Sequence, residues 1–178
     1  ITSINIFKKE LGKNSSFFSY PFGEYSANLK KIVIELGFKY AFGQHSGVAD
    51  HTKNFFEMPR FPINEKYGEV DRFNTILKTL PFPYDYIEPK EKYISDKNNP
   101  PKVNIQFFDN LKNLKNINCF SNEEDKWRNS KIILDDKNKL SIILNGKFTT
   151  ERGRINCSLR EKNGFYRWLG IQFVVKEK

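Results

Sequence analysis

Phe17-Phe18-Ser19-Tyr20-Pro21-Phe22-Gly23-Glu24-Tyr25 and, a helix length later, Phe38-Lys39-Tyr40-Ala41-Phe42-Gly43-Gln44-His45-Ser46-Gly47 are the two runs on which the fold turns. Each opens with aromatic residues of the kind that fit a pleated strand. Each is then halted, the first by Pro21 and Gly23, the second by Gly43. Between them Leu29, Ile32, Val33 and Leu36 recur at i, i+3, i+4 and i+7, which gives a helix one apolar face. Ser26 can cap its start and Gly37 its end. Strand, helix and strand with short joints predict a βαβ unit, with parallel strands and the helix packed outside. Sites in such units form where strands end. That places Tyr20-Pro21-Phe22-Gly23 and Gly43-Gln44-His45-Ser46-Gly47 side by side at one rim.

Before this unit, Ile4, Phe7 and Leu11 fall at helical spacing, with Gly12 as a C-terminal cap. They read as the end of a helix whose start lies upstream of Ile1. The chain begins with Ile and carries its one methionine at Met58, so a sequence cut on its N-terminal side is expected, a processed mature product being the alternative. After the unit, Met58-Pro59-Arg60-Phe61-Pro62-Ile63 is extended, as its prolines require. Val70, Phe73, Ile76, Leu77 and Leu80 mark a further helix that stops before Pro81. The stretch 81–101 holds five of the eight prolines and the polar run Ser95-Asp96-Lys97-Asn98-Asn99, a linker composition. From residue 102 the pattern changes to short strands at 102–107, 117–121, 131–134, 140–144, 154–159 and 165–175. Turn signals such as Asn145-Gly146 and Asn163-Gly164 part them. The predicted organisation is an α/β portion over 1–85, a linker over 86–101 and a small antiparallel β-sandwich over 102–178.

The chain has 178 residues, 38% of them hydrophobic and 15% aromatic, enough to build a packed core. No apolar run reaches membrane-spanning length. The net charge of +9 comes from 23 lysines and 7 arginines against 21 acidic residues. The lysines are scattered and accompany no motif that reads DNA or RNA, so no nucleic-acid partner is expected. Cys119 and Cys157 lie in separate strand-like stretches and form no C-x-x-C pair. They read either as one disulfide joining two strands in an oxidising compartment or as two buried thiols.

Four places could carry chemistry. The Pro–Gly turn after Tyr20 can aim a backbone N–H into a cleft or be an ordinary strand ending. His45, bracketed by Gly43 and Gly47, can act as acid or base near neutral pH or be a loop histidine without a role. Arg60 can orient a carboxylate or a sugar hydroxyl, or close a salt bridge. Trp127, Tyr166 and Trp168 can stack on sugar rings or fill the core. With His45 and His51 alone and no H-x-x-H or H-x-x-x-H spacing, the sequence offers no histidine metal site of its own.

The order of these segments resembles the NodB-type polysaccharide deacetylases, carbohydrate esterase family 4, over roughly Phe17 to Leu80. The motifs that carry the likeness are Tyr20-Pro21-Phe22-Gly23-Glu24-Tyr25, the run from Leu36 to Gly47, and Met58-Pro59-Arg60-Phe61-Pro62-Ile63. The tail, with Arg154-Ile155-Asn156-Cys157 and Phe165-Tyr166-Arg167-Trp168, is similar to the C-terminal β-domain of one branch. The resemblance implies the later half of a distorted (β/α) barrel. It also implies removal of acetyl groups from polysaccharide by water activated on a divalent metal, zinc above all, held by Asp-His-His. The T-F-D-D and H-[ST]-x-x-H motifs that supply those ligands do not occur here, so this chain alone is expected to hold no metal and release no acetate. Carried over residue by residue, the Phe22 N–H becomes the oxyanion donor and His45 a candidate catalytic acid. Tyr20, Pro21, Gly23, Gln44 and Arg60 become lining for an N-acetylated polysaccharide or oligosaccharide. Ser19 stands where many members have an arginine that orients the catalytic Asp. The family is secreted, so a periplasmic or extracellular place is expected. Two other functions compete: a non-catalytic carbohydrate-binding protein and a basic nucleic-acid binder.

Overall fold

A computed structural model describes residues 2–65, 67–109 and 111–175. The βαβ unit forms. β1 (Phe17–Ser19) and β2 (Tyr40–Phe42) pair in parallel, Phe17 opposite Tyr40 and Ser19 opposite Phe42. A parallel bridge from Phe42 to Met58 extends the pairing by one residue. Ahead of the unit lies α1 (Thr2–Leu11), which buries no residue and is closed by Gly12 at φ 68°. Between the strands runs α2 (Ala27–Glu35), capped by Ser26, whose hydroxyl accepts from the Leu29 N–H at 3.1 Å. Of the predicted apolar face, Val33 is buried and Leu29 packs beside it. With them, Tyr20, Tyr25 and Ala41 form a small core.

The predicted helix before Pro81 is shorter than its periodicity suggested. α3 (Val70–Leu77) ends three residues early, and Thr79–Leu80 become β3. Pro81 disfavours a helical backbone at Leu80, so the chain is already extended there.

From this point the structure is a two-sheet β assembly. β4 (Tyr84–Glu88), β6 (Val103–Phe107), β10 (Lys139–Ile143) and β9 (Lys131–Leu134) make one antiparallel sheet in the order β4-β6-β10-β9. The second runs β3-β12-β11-β7-β8, with β5 (Tyr93–Ile94) also on β12. Here β7 is Asn118–Ser121, β8 Arg128–Asn129, β11 Arg152–Arg160 and β12 Tyr166–Val175. Alternate residues of both sheets point into one core, Val103, Ile105 and Phe107 from β6 and Ile155, Cys157 and Leu159 from β11. This period of two is what lets one face be dry and the other wet. The stretch 86–101, expected as a linker, carries the end of β4 and all of β5 and is paired into both sheets.

The expected (β/α) barrel does not form. Strand accounts for 33% of the structure and helix, short 3-10 turns included, for 22%, with three α-helices and several sheets among the described residues. A barrel needs strand after strand followed by helices and buried on both faces. Here the parallel pairing begun by β1 and β2 ends at the Phe42–Met58 bridge. The next strand, β3, joins β12 in parallel instead of β2, in a sheet whose strands β12, β11, β7 and β8 pair antiparallel. Phe17 on β1 stays 60% exposed, and β6, β7 and β11 alternate buried with more exposed residues, a pattern of antiparallel sheets.

The βαβ unit docks on the outer face and edge of the second sheet. The Gly170 N–H donates to the Ser46 carbonyl at 2.6 Å, and Gly47 bridges Leu169. Gly170 is required for this approach, because a Cβ there would lie 2.6 Å from the Ser46 nitrogen. The edge of β12 is thus covered in three short pieces: β3 at Tyr166 and Arg167, the Ser46–Gly47 loop, and β5 at Val174 and Val175. Arg152 of β11 adds an ion pair to Glu24 at 2.6 Å.

Candidate functional site

The docking leaves a cavity of about 680 Å³ above the outer face of β11 and β12. That is within the usual size range of small-molecule sites. Its floor is a block of alternate residues, Arg154 and Asn156 from β11 and Trp168, Gly170 and Gln172 from β12. One wall is the loop Gln44-His45-Ser46. Another is the extended segment from Arg60 to Asn64 together with Tyr67 and Arg72, and Trp127 completes the rim.

Trp168, Asn156 and Gln172 of the floor are each held by a neighbour. The Trp168 indole N–H donates to Asn156 Oδ1 at 3.2 Å, and Phe61 meets its ring edge-on at 5.4 Å. The Arg72 guanidinium lies 5.8 Å from the Trp168 ring and 5.2 Å from that of Tyr67, and its Nε–H donates to the Tyr67 carbonyl. Gln172 is only 5% exposed. Its amide N–H donates to the Phe22 carbonyl at 3.2 Å, while its Oε1 is buried without a hydrogen-bond partner among the described residues.

The residues expected from sequence fall into two groups. Gln44, His45 and Arg60 line the cavity together, and the Arg60 N–H donates to the His45 carbonyl at 3.1 Å. The turn after β1 stands beside them. Gly23 adopts φ 71° and packs so tightly on Gln44 that a Cβ would sit 2.4 Å from its nitrogen. Phe22 has a left-handed backbone, φ 55° and ψ 10°. Its ring points to solvent under Arg152, and it meets the floor through its carbonyl. Tyr20 is a core residue whose hydroxyl donates to the Phe56 carbonyl at 3.1 Å. Pro21 is exposed at the start of the turn. Neither lines the cavity.

His45 is half-buried and touches a charged cluster beneath the rim. Glu57 is its hub: Lys30 pairs with one oxygen and the Tyr25 hydroxyl donates to the other at 3.3 Å. Burial pushes the His45 imidazole down to about 4, with Lys92 and Lys53 adding to the effect and Glu57 opposing it. The ring is therefore neutral at pH 7, able to donate from one nitrogen and accept at the other. A neutral imidazole of this kind is a weak source of protons at neutral pH. Burial also raises Tyr20 to about 12 and lowers Lys92 to about 8. Gly43 makes room for the ring, since a Cβ there would come 2.7 Å from His45 Nδ1.

Cys119 and Cys157 sit opposite one another on β7 and β11 and are joined by a disulfide. The bond lies on the core side of β11, one residue from Asn156, and so braces the floor from behind.

The metal implied by the family resemblance was tested against these residues. Among the described residues no three His, Cys, Asp or Glu side chains come together as a metal-binding group. Among the described residues the cavity lining offers His45 and no carboxylate. The residues do not fit the metal, and no step is derived through it. No described helix is long and apolar enough to cross a membrane.

Trp168 and Trp127 were legible as sugar-stacking candidates. Arg72, Arg154, Asn156 and Gln172 were not. The signal for the last three is the polar alternation on β11 and β12, whose inward partners are apolar. No family model, curated protein or solved structure matches the chain.

Proposed function

We propose that this chain binds polysaccharide, as the glycan-engaging part of a deacetylase that hydrolyses the acetamide groups of N-acetylated sugars. The observation that carries the binding reading is the cavity floor. An indole held at its edge by Phe61 and Asn156 lies among amides and guanidinium groups. Sugars present apolar C–H faces ringed by hydroxyls, and a fixed aromatic with surrounding planar polar groups matches both. The deacetylase part rests on the order of the motifs from Tyr20 to Ile63. In that reading the Phe22 N–H steadies the oxyanion, and Gln44, His45 and Arg60 position the sugar. The disulfide supports a periplasmic or extracellular place.

A non-catalytic carbohydrate-binding role is the second reading, favoured by a lining that holds no carboxylate among the described residues. Titrating the tryptophan fluorescence with N-acetylated oligosaccharides of four sugars tests the shared part. Saturable binding is expected, with at least a tenfold loss in Trp168→Ala. A folded protein that binds no glycan refutes it. Acetate assays and zinc analysis on the same samples should show neither release nor stoichiometric metal. Release that depends on one equivalent of zinc would show that the chain is a complete catalyst.

A further inference from the structure

The cavity has a charge signature that neutral sugar binding does not require. Arg60, Arg72 and Arg154 line it, and among the described residues none that lines it is acidic. Elsewhere in the molecule three arginines are neutralised, Arg128 by Glu124, Arg152 by Glu24 and Arg167 by Glu161, while the exposed Arg160, outside the cavity, has no ion pair among the described residues. Among the described residues none of the three cavity arginines has an ion-pair partner. Three guanidinium groups lining one cavity without a counter-charge among the described residues repel one another, and an anion relieves that repulsion. Guanidinium presents a planar fork that matches a carboxylate in two parallel hydrogen bonds.

Gln172 narrows the choice of anion. Its buried Oε1 has no partner among the described residues, and as an acceptor it needs a donor. An anion that only accepts would leave it unsatisfied, at the cost of a lost hydrogen bond. A ligand that fits must therefore bring a carboxylate for the arginines, a hydroxyl for Gln172 and a flat C–H face for Trp168. We propose that the cavity recognises an anionic glycan, a pyranose carrying a carboxyl group, through Arg60, Arg72, Arg154 and Gln172. This rests on the glycan-binding reading above and names the class of sugar.

The test compares two ligands on the unmodified protein. One is a hyaluronan tetrasaccharide, which alternates a carboxylated sugar with an N-acetylated one. The other is the same tetrasaccharide with its carboxyl groups reduced to hydroxymethyl groups. Calorimetric titration at low salt should show the carboxylated form binding at least tenfold more tightly, about 1.4 kcal/mol. That advantage should shrink as salt is raised. Arg154→Gln, at an exposed position, should remove most of the advantage, weakening the carboxylated ligand at least fivefold more than the neutral one. Arg154→Lys should recover only part of it. Equal binding of the two forms overturns the anionic preference and leaves glycan binding standing. Binding of neither form refutes the glycan reading itself. A single-stranded oligonucleotide that binds more tightly than the carboxylated sugar would assign the arginines to nucleic acid instead.

Discussion

At the scale of single residues, the rim is built from positions where only one side chain, or none, can fit. Gly23 and Gly170 let two backbones approach within distances that a Cβ would occupy. Gly43 gives the His45 ring its place. That ring illustrates what burial does to a titrating group. Its folded pKa of about 4 lies below the ordinary value of 6.5, so the unfolded chain binds the proton first as pH falls. The contribution to stability is present above pH 6.5 and is lost as pH falls toward 4, amounting to about 3 kcal/mol. Urea unfolding at pH 7 and pH 4 should show that loss, and His45→Gln should flatten it. Identical slopes in both proteins would mean the imidazole is charged in the native state. Burial sets this pKa, with the charges of Glu57, Lys92 and Lys53 modulating it, and burial is a property of the folded chain, which is why His45 could be located from its flanking glycines but its protonation state could not. The long-range partners were equally hidden. Gln172 meets Phe22 from 150 residues away, and Arg152 meets Glu24 from 128, with no local pattern announcing either pair.

At the scale of elements, local periodicity was a good guide. The i, i+3, i+4, i+7 face of α2 and the alternation along β6 and β11 correspond to the elements that form. What it did not carry was connection. The barrel expectation came from the order of motifs resembling a known family, and nothing in the short parallel pair β1 and β2 compels further parallel strands to follow. Likewise the prolines of 81–101 read as a linker, yet β4 and β5 form within that stretch, where the remaining backbone groups find sheet partners. The β7–β11 pair is the element most open to a direct stability test. Its disulfide closes a loop with a sequence separation of 38. The chain-entropy account gives a stabilisation of about 4 kcal/mol for a loop of that length. The double substitution Cys119→Ala, Cys157→Ala should lower the unfolding free energy by roughly that amount, read from the denaturant midpoint at unchanged slope. A loss under about 1 kcal/mol would show that the two strands are already held by their packing.

At the scale of the whole molecule, the two portions read from sequence are interdependent. The cavity floor belongs to the β assembly, and its walls come from residues 44–72. Residues 91–178 alone should therefore bind no glycan, even if the sandwich forms. They should also self-associate, because removing β3 and the Ser46–Gly47 loop uncovers ladder groups on β12. Size-exclusion chromatography and glycan titration of that piece check both outcomes. A monomer with undiminished affinity would show that the walls contribute nothing.

The way β12 is covered has a further consequence. Its edge is closed by three clasps, none longer than two residues, instead of one continuous neighbour. A continuous strand peels as a zipper, each broken bond weakening the next. Separate clasps can let go one at a time, so the middle one can release beside the cavity while the outer two keep the sandwich shut. The mouth of the site is thereby given freedom to breathe that the scaffold behind it does not share.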